Sequence, residues 1–357
     1  MRTLALLLAL AAGLAPAVSA APYSVTDALG RTVAFAETPS RVVIAGRGTL
    51  ILADAVYLFP GVGERVVGAA VTDQGLGDVL PLLDPAYARK VRFPNNAGAE
   101  QIAGAMPDLV ILKTYSKQGV GDALERAGIP VLYLDLESPE SFYRDVRTLG
   151  LAFRQPDRAD EVVRWYQSRV ETIAAAASGT RDSVGVTRPR VLVVQATAKD
   201  ADLAVTVPPA GWIQAWMAET AGGTPVWVAE NRTSGWLKVG IEQVAAWDPD
   251  QVLVVSYASS AVDAARRLSD SPAWKSTRAG VAGAIRAFPA DLVSWDQSDT
   301  RWILGLAWLA ATLHPGRFPG FDLRTEATVF YREAYGIEPA MISSLILPRL
   351  DRAIGSP

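Results

Sequence analysis

Three cations, five aromatic rings and one carboxylate stand where the sequence turns from strand-like runs into loops. Arg47 lies between glycines in Gly46-Arg47-Gly48, Lys113 opens Lys113-Thr114-Tyr115, and Arg232 follows Asn231. Tyr257 follows Ser256, and Trp212, Trp236 and Trp295 occur in Pro209-Ala210-Gly211-Trp212, Ser234-Gly235-Trp236 and Ser294-Trp295-Asp296. Guanidinium groups match planar carboxylates and oxyanions, and indole faces suit flat organic molecules and can receive a cation. Asp296 is placed either to accept hydrogen bonds from a ligand or to cap a helix over 300–312. This set points to holding a small molecule rather than to transforming it.

Catalytic signatures are missing. The chain has no cysteine and one histidine, so a protein-only zinc or copper site of the usual His/Cys type cannot be built. His314 precedes Pro315-Gly316 at the end of an expected helix, where a positive charge is favoured. There is no Gly-x-Ser-x-Gly elbow and no Walker loop. Gly61-Val62-Gly63 precedes a strand instead of following one and reads as a turn, not half of a dinucleotide fingerprint. Asn231-Arg232-Thr233 matches a glycosylation sequon by chance. The surviving enzymatic alternative is an exported α/β hydrolase working through paired carboxylates.

The elements that must position these residues follow from the apolar patterning. Arg41–Ala45, Val66–Val71, Leu109–Leu112 and Val131–Leu134 are β-rich runs separated by helical stretches, and Val191–Val194, Val252–Val255 and Ile285–Phe288 repeat the plan. Such alternation predicts parallel sheets covered on both faces. Ligands of such sheets sit beyond the carboxyl ends of the strands, where the loops named above lie. Between the halves, Val162, Val163, Tyr166, Val170 and Ile173 fall at helical spacing behind Pro156, and Ser178-Gly179 stops the helix. On either side of it, Glu100-Gln101 and Glu242-Gln243 each open a short helix that ends in Pro-Asp and runs into an apolar strand. An internal repeat about one long helix implies two similar lobes and a rod. The expected fold is therefore α/β, with two Rossmann-like lobes of mainly parallel sheets joined by a single long α-helix. The N-terminal lobe takes residues 21–155, the helix 156–178, and the C-terminal lobe with a helical tail 179–357.

Residues 1–20 read as a secretory signal peptide: Arg2, the apolar run Leu4–Ala12, then the small-residue site Val18-Ser19-Ala20. The apolar run is shorter than the roughly 20 residues that span a bilayer. Without cysteine there is no thiol to lipidate and no disulfide. The expectation is a soluble periplasmic monomer that is neither a lipoprotein nor membrane-spanning. A net charge of −3 and a pI near 5.4 leave no basic footprint for nucleic acid.

In this order the motifs resemble the class III solute-binding proteins of bacterial ABC importers, a family that includes binders of ferric siderophores, vitamin B12 and haem. The opening Val25-Thr26-Asp27-Ala28-Leu29-Gly30-Arg31-Thr32-Val33, followed by Pro39-Ser40-Arg41-Val42-Val43, is similar to the family's start. The resemblance implies a ligand clamped between the lobes and delivered to the membrane subunits of an ABC importer. It also implies that Glu100 and Glu242 dock to arginines of those subunits. Taken alone, both residues also read as ordinary helix-start acids. The ligand-binding set is Arg47, Lys113, Tyr115, Trp212, Arg232, Trp236, Tyr257, Trp295 and Asp296. A ferric siderophore leads as ligand, since cations and aromatics suit an anionic chelate. Alternatives are a corrinoid, haem with Tyr115 or Tyr257 as axial ligand, and a molybdate-type oxyanion. No cofactor or metal belongs to the protein itself; the ligand carries the Fe, Co or Mo. A sensor domain of the same fold is a further alternative.

Overall fold

A computed structural model describes residues 21–72, 74, 76–178, 188–196, 204–257 and 259–353. The expected signal peptide, residues 1–20, lies outside the described residues. The chain begins with an antiparallel hairpin of β1 (Tyr23–Thr26) and β2 (Thr32–Phe35). A parallel sheet follows, built from β3 (Val42–Ile44), β4 (Val66–Ala70), β5 (Val91–Phe93), β6 (Leu109–Lys113) and β7 (Val131–Leu134). Its strand order is β5-β4-β3-β6-β7. The second sheet contains β8 (Arg190–Gln195), β9 (Ala204–Val207), β10 (Thr224–Pro225), β11 (Leu237–Gly240), β12 (Gln251–Val255) and β13 (Ile285–Ala287). Its order is β11-β9-β8-β12-β13, with β10 also pairing to β8. The central strands are continuous apolar runs, and Val42, Val43, Ile44, Leu109–Leu112 and Val252–Val255 are fully buried. Burial on both faces is why these runs do not alternate polar with apolar.

The helices that position the site or brace the lobes are α1 (Thr49–Val56), α2 (Ala99–Ala103), α3 (Pro139–Ala152), α4 (Pro156–Ser178), α5 (Ile213–Thr220), α6 (Ile241–Trp247), α7 (Trp302–Leu313) and α8 (Leu323–Tyr335).

The duplicated stretch is a duplicated structure. In the first lobe Arg41 donates to the carbonyls of Ala105 (2.7 Å) and Met106 (2.8 Å), tying the end of α2 to the start of β3. In the second, Arg190 donates to the carbonyls of Trp247 (2.7 Å) and Asp248 (3.1 Å) at the end of α6. Asp108 accepts from the Arg41 N–H at 2.9 Å and Asp250 from the Arg190 N–H at 2.8 Å. The residue before each proline is left-handed, Met106 at φ 51° and Asp248 at φ 43°. Helix termination and strand entry are thus solved by the same Arg, Pro and Asp in both lobes.

The lobes differ at one sheet edge. β9 runs antiparallel to both β8 and β11, so the second sheet is mixed. Thr206 and Val207 belong to β9.

At 23 residues, α4 extends about 34 Å at 1.5 Å per residue. It packs on α3 of the first lobe and α7 of the second. Tyr166 packs with tilted rings against Phe142 (4.7 Å) and Trp302 (5.1 Å), and its hydroxyl donates to the Thr300 carbonyl at 2.5 Å. Below the cleft, the fully buried Arg301 crosses from the second lobe to Asp54 on α1, Nη1 to Oδ2 2.5 Å. The Tyr335 hydroxyl on α8 donates to the Asp54 carbonyl at 3.3 Å. No helix among the described residues is long and apolar enough to cross a membrane.

Candidate functional site

Both sheets aim their carboxyl ends at one cavity of about 680 Å³. From the first lobe it is lined by Arg47 (after β3), Ile51, Tyr115 (after β6) and Glu137 (after β7). From the second come Trp212, Ile213, Gln214, Ser234, Trp236, Tyr257 (after β12), Gln297 and Ser298. Of the residues picked from sequence, Arg47, Tyr115, Trp212, Trp236 and Tyr257 converge on this space.

The glycines around Arg47 fix its loop. Gly48 has φ 75°, and a Cβ there would stand 2.6 Å from the Tyr115 hydroxyl oxygen. That hydroxyl donates to the Arg47 carbonyl at 2.9 Å, so the β3 and β6 loops are laced together. Burial, with the Glu137 charge second, pushes the Tyr115 hydroxyl up to about 12. Glu137 is delivered by a tight turn after β7 in which Leu136 has φ 60°. The turn is held by the buried Asp145 on α3, which accepts from the N–H groups of Asp135 (2.6 Å) and Leu136 (2.9 Å).

The opposite wall is aromatic. Trp212 and Trp236 meet edge to face at 5.7 Å, and Trp236 meets Tyr257 the same way at 6.0 Å. Trp236 owes its position to buried Asn231, whose amide donates to the carbonyls of Val207 (2.9 Å) and Gly235 (3.0 Å). Two contacts join the walls. Ser298 Oγ donates to Glu137 Oε2 at 3.0 Å, and the amides of Gln74 and Gln297 exchange hydrogen bonds at 3.1 and 3.0 Å.

Four residues of the sequence-derived set do not line the cavity. Lys113 is fully buried; its ammonium pairs with Glu137 Oε1 at 2.5 Å and donates to the Asp135 carbonyl, so its charge is consumed within the first lobe. Arg232 is exposed outside the lining. Trp295 has no exposure, and its Nε1 donates to Asp291 at 3.0 Å. Asp296 is buried beneath the cavity floor, where it accepts from Gln214 (3.0 Å), Tyr257 (2.7 Å) and Ser294 (2.6 Å). It does not cap the following helix, which begins at Trp302 behind Arg301. Burial pushes the Asp296 carboxyl up, against those donors, and pushes the Tyr257 hydroxyl well above its usual value, with the Asp296 charge second. At His314, burial and then the Arg317 charge lower the pKa, against the positive end charge expected there.

Sequence reasoning missed Ile51, Glu137, Ile213, Gln214, Ser234, Gln297 and Ser298. Glu137 was findable, because it lies just past a strand end as Arg47 and Tyr115 do. The glutamines and serines carry no such local signal.

Glu100 and Glu242 are each the second residue of their helix, exposed, behind a glycine at matching backbone angles: Gly98 at φ −76°, ψ 164° and Gly240 at φ −85°, ψ 168°. α2 runs from the carboxyl side of β5 to the amino end of β6, and α6 relates likewise to β11 and β12. Both carboxylates therefore sit on the carboxyl-end side of their sheet, the side on which the cavity lies. Among the described residues no group of three or more His, Cys, Asp or Glu side chains is placed to hold a metal ion.

Residues 43–292 match the sequence profile of a family described as periplasmic binding protein. No curated protein sequence matches the chain. Among solved structures it is similar to a periplasmic solute-binding protein from Veillonella parvula, with TM-score 0.72 and 19% identity over 93% of this chain and 98% of that one. It is similar to the molybdate periplasmic binding protein of Haemophilus influenzae at TM-score 0.70 and 20% identity, over 88% and 98% of the two chains. A periplasmic heme-binding protein from Pseudomonas aeruginosa aligns at TM-score 0.59 and 25% identity, over 78% of this chain and 93% of that one. These likenesses carry the two-lobed fold.

Proposed function

Because the chain belongs to the periplasmic binding protein family, we propose that it captures an organic metal chelate between its lobes and hands it to the membrane subunits of an ABC importer. A ferric siderophore is the leading ligand, and residues 1–20 direct export to the periplasm. The observation that carries this reading is the cavity itself: about 680 Å³ at the strand tips, with one guanidinium on one wall and an aromatic face on the other. That volume is in the range of organic-ligand sites, and an oxyanion of a few atoms would fill little of it. With Lys113 committed to Glu137, Arg47 is the one cation among the described residues that line the space. This favours a chelate of low net charge, such as a neutral ferric trihydroxamate, over a trianionic one. The same wall favours a corrinoid as second reading, since a flat macrocycle can lie on Trp212, Trp236 and Tyr257.

Haem ligation is less well supported. Both cavity tyrosines have their hydroxyl hydrogens engaged by protein acceptors and pKa values raised by burial, which opposes the tyrosinate that iron would need. Glu100 and Glu242 would meet arginines of the membrane subunits through charge-assisted bonds, one per lobe, setting orientation as well as affinity.

The test is a tryptophan-fluorescence titration with a ferric trihydroxamate, a ferric tris-catecholate, cyanocobalamin, haemin and molybdate. The reading expects saturable one-to-one quenching by the trihydroxamate, or by cyanocobalamin under the second reading. Saturation by molybdate alone, or by none of the five, would overturn it.

A further inference from the structure

Three hydroxyl groups on the cavity wall have already given away their hydrogens. Tyr115 donates to the Arg47 carbonyl at 2.9 Å, Ser298 to Glu137 at 3.0 Å, and Tyr257 to Asp296 at 2.7 Å. A hydroxyl has one hydrogen and two lone pairs, so each can only accept from a ligand. Gln214 also offers an acceptor, since only one of its two amide hydrogens is engaged by the protein but its oxygen is free. Its Nε2 donates to Asp296 at 3.0 Å, and its buried Oε1 has no partner in the protein. Glu137 adds a carboxylate. Asp296 sets this polarity on the second lobe. Buried, and also accepting from Ser294 at 2.6 Å, its carboxylate receives from Tyr257 and Gln214.

We infer that the cavity floor on the second lobe is an acceptor surface whose ligand must present amide N–H or hydroxyl O–H groups to Tyr257 and Gln214, with Asp296 as the positioning residue that fixes this direction. The inference rests on reading the cavity as the chelate site and narrows the ligand to a chelate with hydrogen-bond donors on its periphery. A ligand with acceptors alone would face lone pairs on this floor and leave the Gln214 oxygen unsatisfied, which is unfavourable in a buried site. Donors at Tyr257 and Gln214 and an anionic or acceptor group at Arg47 would together give the ligand one orientation.

The experiment is calorimetric titration of the whole protein with two gallium chelates. One is a cyclic-peptide trihydroxamate carrying free amide N–H groups; the other is its N-methylated form. The wild type is expected to prefer the N–H form by about tenfold or more, since an unmet buried acceptor costs on the order of that factor. In Asp296→Asn the new amide can donate to Tyr257 and release its hydroxyl hydrogen toward the ligand, so the preference should fall to about threefold or less. Tyr257→Phe should weaken the N–H form and leave the N-methylated form nearly unchanged. A purely structural role for Asp296 would weaken both chelates equally and leave the ratio intact. That result, or a wild type without preference, overturns the inference. If neither chelate binds, the chelate reading falls separately, and the floor is judged by ligand-observed NMR with 1,3-dimethylurea and tetramethylurea. Saturable binding of the donor-bearing urea alone, lost in Asp296→Asn, upholds the acceptor floor; equal behaviour of the two ureas refutes it.

Discussion

Arg301→Met should destabilise the fold by an amount that depends on pH in a specified direction. The guanidinium is fully buried between three aspartates: Asp54 Oδ2 at 2.5 Å, Asp291 Oδ1 at 3.4 Å and Asp299 Oδ1 at 3.5 Å. Its Nε also donates to the Tyr331 hydroxyl at 2.7 Å. Its two short bonds are worth about 1.5–3 kcal/mol each when charge-assisted. That agrees with the roughly 3–5 kcal/mol lost when one partner of a buried pair is removed. A loss of about 4 kcal/mol near pH 8 follows, a fall in Tm of roughly 6 °C for a chain of this size.

The carboxylates supply the pH signature. Burial raises the Asp54 pKa from 3.8 to about 6 even with Arg301 beside it, and burial raises Asp299 as well. A carboxyl whose folded pKa lies above its unfolded value contributes stability that is full below the unfolded pKa and is lost as pH rises through the folded one. Removing Arg301 lifts these folded values further, so the variant's native state takes up protons at higher pH than the wild type's. The penalty should be largest near pH 8 and shrink by at least about 1 kcal/mol at pH 5. Urea unfolding of both proteins at the two pH values measures it. A penalty below about 1 kcal/mol, or one that does not change with pH, would refute the buried interlobe charge cluster.

Reversing both Glu100→Arg and Glu242→Arg should reduce uptake in cells to under about a tenth while leaving ligand affinity within about twofold, since neither residue lines the cavity; equal losses in transport and binding would remove the proposed docking assignment. Trp236→Ala should weaken ligand binding about tenfold to a hundredfold, since Trp236 touches both Trp212 and Tyr257; calorimetry showing unchanged affinity would take the aromatic wall out of the site. Gly48→Ala should cost about 1–2 kcal/mol in thermal unfolding, from a left-handed backbone and a Cβ 2.6 Å from the Tyr115 oxygen, and should also lower affinity by displacing Tyr115; a neutral substitution would mean that this loop is not held as described.

The repeat was legible because it is local: Glu-Gln, Pro-Asp and an apolar run can be read along the chain, and the structure adds only that Arg41 and Arg190 complete it. The long helix was legible from its periodicity and its proline. The direction of β9 was not, since whether a four-residue strand runs parallel or antiparallel depends on partners far along the chain. Nor was the fate of Lys113. It lies at a strand end, as a ligand-binding cation should, but the neighbouring β7 turn brings Glu137 against it. Trp295 and Asp296 were placed at the right end of the lobe and at the wrong depth. Asp296 acts through Tyr257 and Gln214, and an acceptor beneath the floor looks in sequence like one on its surface.

The central claim is that an organic chelate sits between the lobes, and purification from the native host without dialysis tests it most directly, by absorption spectrum and metal content. The account predicts one equivalent of iron or cobalt with an organic charge-transfer or corrin band, bound in the wild type and released in Trp236→Ala. A colourless preparation carrying molybdenum or tungsten would contradict it.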